Sequence, residues 1–241
     1  MAGAADPAAS SIITELRAAA LAIPDRGVYG TKTPAKDRVL AAVAAAEKLA
    51  EAGAAGPLAG SPCVCPSTGA WAPTASLPAL AGPWAVLWST VTCTGSRRVK
   101  LGLKTAVLLK GVTQSICLGG LGGGEVQGEG GSAGSGSATG TATNAVAFAL
   151  LFMAGAPGAL TLEAAYETLS PTRVGITLTS AALSPPALDK LFGPARLPLL
   201  LDIFNPEGWL DTTFVGGGLR VGRDDKGHVF VLERVAAAGQ E

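Results

Sequence analysis

Apolar positions in the first fifty residues recur at helical spacing. Ile12, Ile13, Leu16 and Ala20 share one face of a segment that Asp6-Pro7 opens as N-cap and first helical residue, and Pro24 ends it. A second helix opens the same way at Thr33-Pro34 and runs to about Glu51. Val39, Leu40, Val43 and Leu49 lie on one side of it and Lys36, Asp37, Glu47 and Lys48 on the other. The two predict a helical hairpin, turning at Asp25-Arg26-Gly27.

Beyond Ala52 the period changes. No charged residue occurs from Ala52 to Ser96, yet Pro57, Pro62, Pro66, Pro73, Pro78 and Pro83 forbid a continuous helix there, so most of it reads as a dry loop. Alternation then begins, with Trp84, Val86, Trp88 and Thr90 on one face of a strand and Ala85, Leu87, Ser89 and Val91 on the other. Further strand-like runs follow at Arg98 to Leu103, Val112 to Leu118, Asn144 to Phe152, Leu160 to Thr168, Arg173 to Thr179, Trp209 to Val215, Leu219 to Arg223 and His228 to Val235. About nine strands behind two helices bury one face fully only by closing or stacking, which predicts a mainly β (α+β) fold, an antiparallel barrel with an internal core or cavity. The hairpin would occupy 1–52 and the barrel 53–241.

Two stretches interrupt the meander. Eleven glycines lie from Gly119 to Gly140, with no large side chain beyond Leu121 and Val126, so about 119–143 reads as a flexible insertion in a hairpin loop. The longest apolar run, Ala145 to Met153, is followed by Gly155 and Pro157-Gly158 and is too short to span a bilayer.

Composition narrows the function. Of the 241 residues 48% are hydrophobic and 15% charged, which excludes disorder as the dominant state. Eighteen Lys and Arg balance eighteen Asp and Glu, leaving no basic excess for nucleic acid. The single histidine, His228, removes Ser-His-Asp, Cys-His and multi-histidine metal chemistry unless a partner supplies the missing groups, so no enzyme activity and no cofactor are expected. Cys63, Cys65, Cys93 and Cys117 include a C-x-C pair but no C-x-x-C, and read as reduced structural thiols. Met1 to Ser10 has neither the charged nor the apolar segment of a secretory signal, as a mature or trimmed chain would not.

Most motif matches fail on context. Gly128-x-Gly130-x-x-Ala133 lacks the preceding strand, following helix and downstream acid of a dinucleotide fingerprint. Asp224-Asp225-Lys226-Gly227 sits between strands and reads as a hairpin turn, not a calcium loop. Asp211, Asp224 and Asp225 have no spacing that marks a catalytic pair, and His228 starts a strand with no ligand partner near it. Arg220 and Arg223 are different: three residues apart on an apolar strand, they point to opposite faces, so one looks inward. An inward guanidinium needs a carboxylate, an aromatic face or an anionic ligand, for which Asp211, Trp84 and a lipid head group are the candidates. Two readings stay open, a lock that closes the barrel and a ligand contact.

The residues Leu210-Asp211-Thr212-Thr213-Phe214, Leu219-Arg220-Val221-Gly222-Arg223 and Gly227-His228-Val229-Phe230-Val231-Leu232 resemble the C-terminal motif of the plastid lipid-associated proteins, or fibrillins. Gly82-Pro83-Trp84-Ala85-Val86-Leu87-Trp88-Ser89-Thr90 is similar to that family's first strand. Arg26-Gly27 sits at its helical turn, and Gln114-x-Ile116 and Asn144-x-Val146 resemble two weaker central positions. The likeness covers roughly residues 10 to 235. Two departures stand out: Gly216-Gly217-Gly218 replaces an acidic position, and Asp224 replaces the glycine after the second arginine.

The resemblance implies a lipocalin-like barrel in the chloroplast, associated with plastoglobules or thylakoids, that binds or organises hydrophobic small molecules or lipids without catalysis. The alternative it leaves is a structural or assembly protein docking a thylakoid membrane complex or a prenyl-lipid enzyme. Candidate ligand contacts are Trp84, Val86, Trp88, Phe148, Tyr166, Asp211, Arg220 and Arg223. Candidate membrane contacts are Leu58, Val64 and Trp71, the last as an interfacial ring.

Overall fold

The structure, a computed structural model, describes residues 7–51, 80–92, 106–118, 139–170, 172–186 and 208–235. Helices α1 (Pro7–Leu21) and α2 (Thr33–Glu51) precede eight strands: β1 (Gly82–Ser89), β2 (Val107–Leu118), β3 (Thr139–Leu150), β4 (Ala156–Thr168), β5 (Arg173–Ser184), β6 (Gly208–Gly216), β7 (Leu219–Asp224) and β8 (Val229–Arg234). Each strand pairs antiparallel with the next, and β8 returns to β1 with Trp84 opposite Arg234 and Val86 opposite Leu232, closing the barrel. No described helix is long and apolar enough to cross a membrane.

Strand parity sorts the side chains. On β4, Leu160, Leu162, Ala164 and Tyr166 are buried inside while Glu163, Ala165 and Glu167 are exposed outside. With Val112, Val146, Phe148, Leu150 and Leu183 the two leucines form an apolar core on the β2–β5 side. The opposite wall is apolar on its outer face as well. Phe214, Leu219, Val221, Val229 and Val231 turn outward there and pack with Leu16, Ala20, Val39 and Val43 of the hairpin, all nearly or fully buried. Each large side chain in that layer contributes about 1.5–3 kcal/mol over remaining exposed, so the hairpin and half the barrel stabilise each other.

One bulge changes the expected face of a tryptophan. The β1–β8 register shifts between Val86 and Trp88, so Leu87 and Trp88 both join the layer under the hairpin. The strict alternation that put Trp88 beside Trp84 and Val86 therefore does not hold. Trp88 is fully buried outside the barrel, its indole N–H donating to Thr31 Oγ1 at 3.0 Å. A second bulge between Thr212 and Phe214 likewise turns Phe214 to the helices while Val215 stays with Trp84 and Leu232.

The hairpin turn is fitted to β1. The Ser89 N–H donates to Arg26 O at 3.0 Å, and the Arg26 guanidinium donates to Val86 O. Gly27 has φ +85°, and a Cβ there would stand 2.1 Å from Ser89 O. Only glycine permits both the left-handed backbone and that approach.

Several strands outrun their sequence signals. Thr139–Thr143 belongs to β3, correcting the expectation that the insertion reaches 143; residues 119–138 lie outside those described, as does the strand expected at Arg98 to Leu103. β3 stops at Leu150, and Leu151–Met153 form a 3-10 turn with Ala154 and Gly155 at positive φ. Pro157 and Gly158 do not break structure: both lie in β4, whose Pro157 is near its first residue, where a missing N–H is tolerated.

Candidate functional site

The barrel interior holds two small adjoining cavities, of about 70 and 30 Å³. Gln114, Ile176, Leu210 and Arg220 line both. The lining is otherwise mostly apolar, with Val86, Val112, Phe230 and Leu232 on the larger and Ile116, Ala142 and Tyr166 on the smaller. At about one water-sized sphere per 10–15 Å³, the larger holds about six waters, room for a small group or one segment of a slender chain.

Arg220 is the chemical centre of this interior. It is 1% exposed on β7, and its guanidinium carbon stands 5.3 Å from the centroid of the Trp84 ring. Its Nη2 donates to Gln114 Oε1, and Gln114 Nε2 donates to Asn144 Oδ1 at 3.0 Å. This row of polar groups crosses the barrel from β7 to β2 to β3. The Arg220 Nε is buried and has no hydrogen-bond partner. Burial, with a smaller contribution from the neighbouring charge of Arg234, pushes the Arg220 pKa down to about 10, so it remains a cation at neutral pH.

Trp84 takes a second cation. Arg234 stands 4.3 Å from the same ring centroid and donates to Ala81 O at 2.7 Å, while the indole N–H of the fully buried Trp84 donates to Leu80 O at 2.8 Å. A desolvated cation–π contact contributes about 2 kcal/mol.

The sequence-derived candidates separate into three groups. Trp84, Val86, Tyr166 and Arg220 converge on the interior. Tyr166 donates to Cys117 O at 3.2 Å, and burial, then the nearby Cys117, raises its pKa. Phe148 sits deeper in the β2–β5 core.

Trp88, Asp211 and Arg223 lie elsewhere. Asp211 receives Arg173 at 2.9 and 2.7 Å, and that guanidinium stacks 3.8 Å from the Trp209 centroid. Arg223 faces out and donates to both oxygens of Glu47 on α2 at 2.7 and 2.8 Å. Leu58, Val64 and Trp71 lie outside the described residues.

Asp224 is a turn residue. Its Oδ1 accepts from the Lys226 and His228 N–H groups at 3.0 and 2.7 Å, and Oδ2 lies 2.8 Å from His228 Nδ1. The glycines after β6 also have a local task. Gly217 and Gly218, at φ 57° and 76°, make the two-residue turn from β6 to β7, and Gly217 O accepts from Arg17.

Gln114, Asn144 and Arg234 were not among the candidate contacts. A signal for them exists: Gln114 and Asn144 keep the inward parity of Val112, Ile116, Val146 and Phe148, and Arg234 keeps that of Phe230 and Leu232.

A closed eight-stranded antiparallel barrel, with a buried arginine at an apolar internal cavity and a helical hairpin on its outer wall, is a lipocalin-like β-barrel protein. The family model described as PAP_fibrillin matches residues 67–233, and the chain belongs to this plastid lipid-associated, or fibrillin, family. A search of curated proteins returned no match. The family is plastid-associated.

Proposed function

We propose that this protein is a non-enzymatic lipid-associated protein of chloroplast membranes or plastoglobules, which holds a hydrophobic small molecule or part of a lipid inside the barrel. The observation that carries this reading is the internal cavity itself: apolar walls around one buried, incompletely partnered polar centre are the arrangement of a binding site for an amphipathic molecule.

Membrane or droplet contact is supported by the β3–β4 tip. Leu151, Phe152 and Met153 are 48%, 58% and 48% exposed, with Leu108 of neighbouring β2 at 44%. From Ala145 to Leu160 not one side chain carries a charge or a hydrogen-bonding group. The Gly155 N–H donates to Leu150 O at 3.0 Å, so the turn enters an apolar phase with that donor satisfied.

Mass spectrometry of an organic extract from protein purified without detergent tests the reading. A stoichiometric hydrophobic compound supports it. An extract free of lipid, together with a stably copurifying thylakoid complex or prenyl-lipid enzyme, would replace it with the assembly role.

A further inference from the structure

We infer that the barrel interior is selective for an acid, the carboxylate of a single-chain acyl amphiphile seated on Arg220. This rests on the binding reading above and specifies the ligand's head.

The first argument is charge. Among the described residues no carboxylate lies within ion-pair distance of Arg220, and the charge that acts on it is another cation, Arg234. Asp224 lines the larger cavity, but its oxygens are engaged by the turn to His228. A buried cation without a counterion is strongly unfavourable. A neutral acceptor such as a hydroxyl or ketone would satisfy the idle Nε–H but leave the charge uncompensated. A carboxylate does both, in a geometry that the guanidinium fork matches.

The second argument is shape. The larger cavity is too small for a ring system or two chains, while its Val86, Val112, Phe230 and Leu232 walls suit methylene groups. A short seam between strands lies beside it. β5 pairs with β6 only over Arg173–Ile176 and Gly208–Asp211, and among the described residues Thr177–Ser184 have β4 alone as a partner. Ile176, Trp209 and Leu210 line the larger cavity at this seam. The head sits at Arg220 and Gln114, and the chain leaves between β5 and β6.

The experiment compares parinaric acid with its methyl ester, two fluorescent ligands sharing one chain, on the full-length protein at neutral pH. Wild type is expected to bind the acid at least ten-fold more tightly, and Arg220→Gln to bind both alike. Equal wild-type affinities would overturn the acid site while leaving the barrel-binding reading intact; failure of both ligands to bind would overturn both. If Arg220→Gln does not fold cooperatively, the wild-type acid-to-ester ratio decides alone. An unchanged acid preference in a folded Arg220→Gln protein would also overturn the assignment, because the selectivity would then come from another group.

Discussion

Arg220 on β7 reaches across the inside of the barrel to Trp84 on β1, guanidinium carbon to ring centroid 5.3 Å, although β8 lies between their strands. The return of β8 to β1, the pairing that closes the sheet, brings these distant segments together. Closure and the chemistry of the interior therefore share one contact.

Trp84→Ala removes a fully buried ring beneath two guanidinium groups. Opening that void and exposing Arg220 to it should destabilise the fold by about 3–5 kcal/mol. Trp84→Phe, which keeps a ring face, should cost clearly less. Urea unfolding measures both, and a loss for Trp84→Phe as large as for Trp84→Ala would show that a retained ring face contributes nothing at this site.

The Glu47–Arg223 pair makes hairpin docking acid-sensitive. Burial by itself would raise the Glu47 pKa, but hydrogen bonds from Arg223 and Thr213 and the charge of Arg223 outweigh it and leave the group below its ordinary value. A carboxylate depressed in the folded state stabilises above its unfolded pKa, and that contribution disappears as pH falls through the folded value. Glu47→Gln should cost about 1 kcal/mol at pH 7, since Arg223 is partly exposed. The difference in melting temperature between the two proteins should shrink from pH 6 toward pH 3. A constant difference over that range would remove the charge pair from the account.

Gly27→Ala places a methyl group on Ser89 O in a left-handed backbone. The φ alone costs about 1–2 kcal/mol, and the clash with backbone adds to it. A loss of at least 2 kcal/mol in chemical unfolding, about the upper φ cost, is expected. A neutral result would mean the turn moves away from β1 without penalty.

Replacing Leu151, Phe152 and Met153 by Ser, Asp and Ser should leave stability within about 0.5 kcal/mol, because all three are exposed. Flotation with liposomes of plastid-lipid composition should fall sharply. Unchanged flotation would move lipid contact off this tip.

Much of this architecture is legible in the sequence because its causes are local. Pro7 and Pro34 lie in the first turns of the two helices, as the sequence signals placed them, and alternation on β4 and β8 sets which side chains face inward. What escaped depends on strand pairing. A bulge has no composition of its own, so Trp88 could not be told from Trp84 until the β1–β8 register was known. Asp211 and Arg223 are separated from Arg220 by parity and by partners, Arg173 and Glu47, that lie far away in the chain. Gln114 and Asn144 needed the closed barrel to show that Gln114, bonded to Asn144, is the inward polar residue that meets Arg220.

The central claim, that the interior is a binding site, is tested most directly with the single-chain fluorophore parinaric acid and a cavity-filling variant. Val112 is buried and lines the larger cavity, and phenylalanine in its place occupies that space at a packing cost of about 1–3 kcal/mol. The account predicts saturable one-to-one binding by wild type and at least ten-fold weaker binding by a folded Val112→Phe protein. Equal binding by both, or binding lost only when the Leu151–Met153 tip is changed, would contradict it.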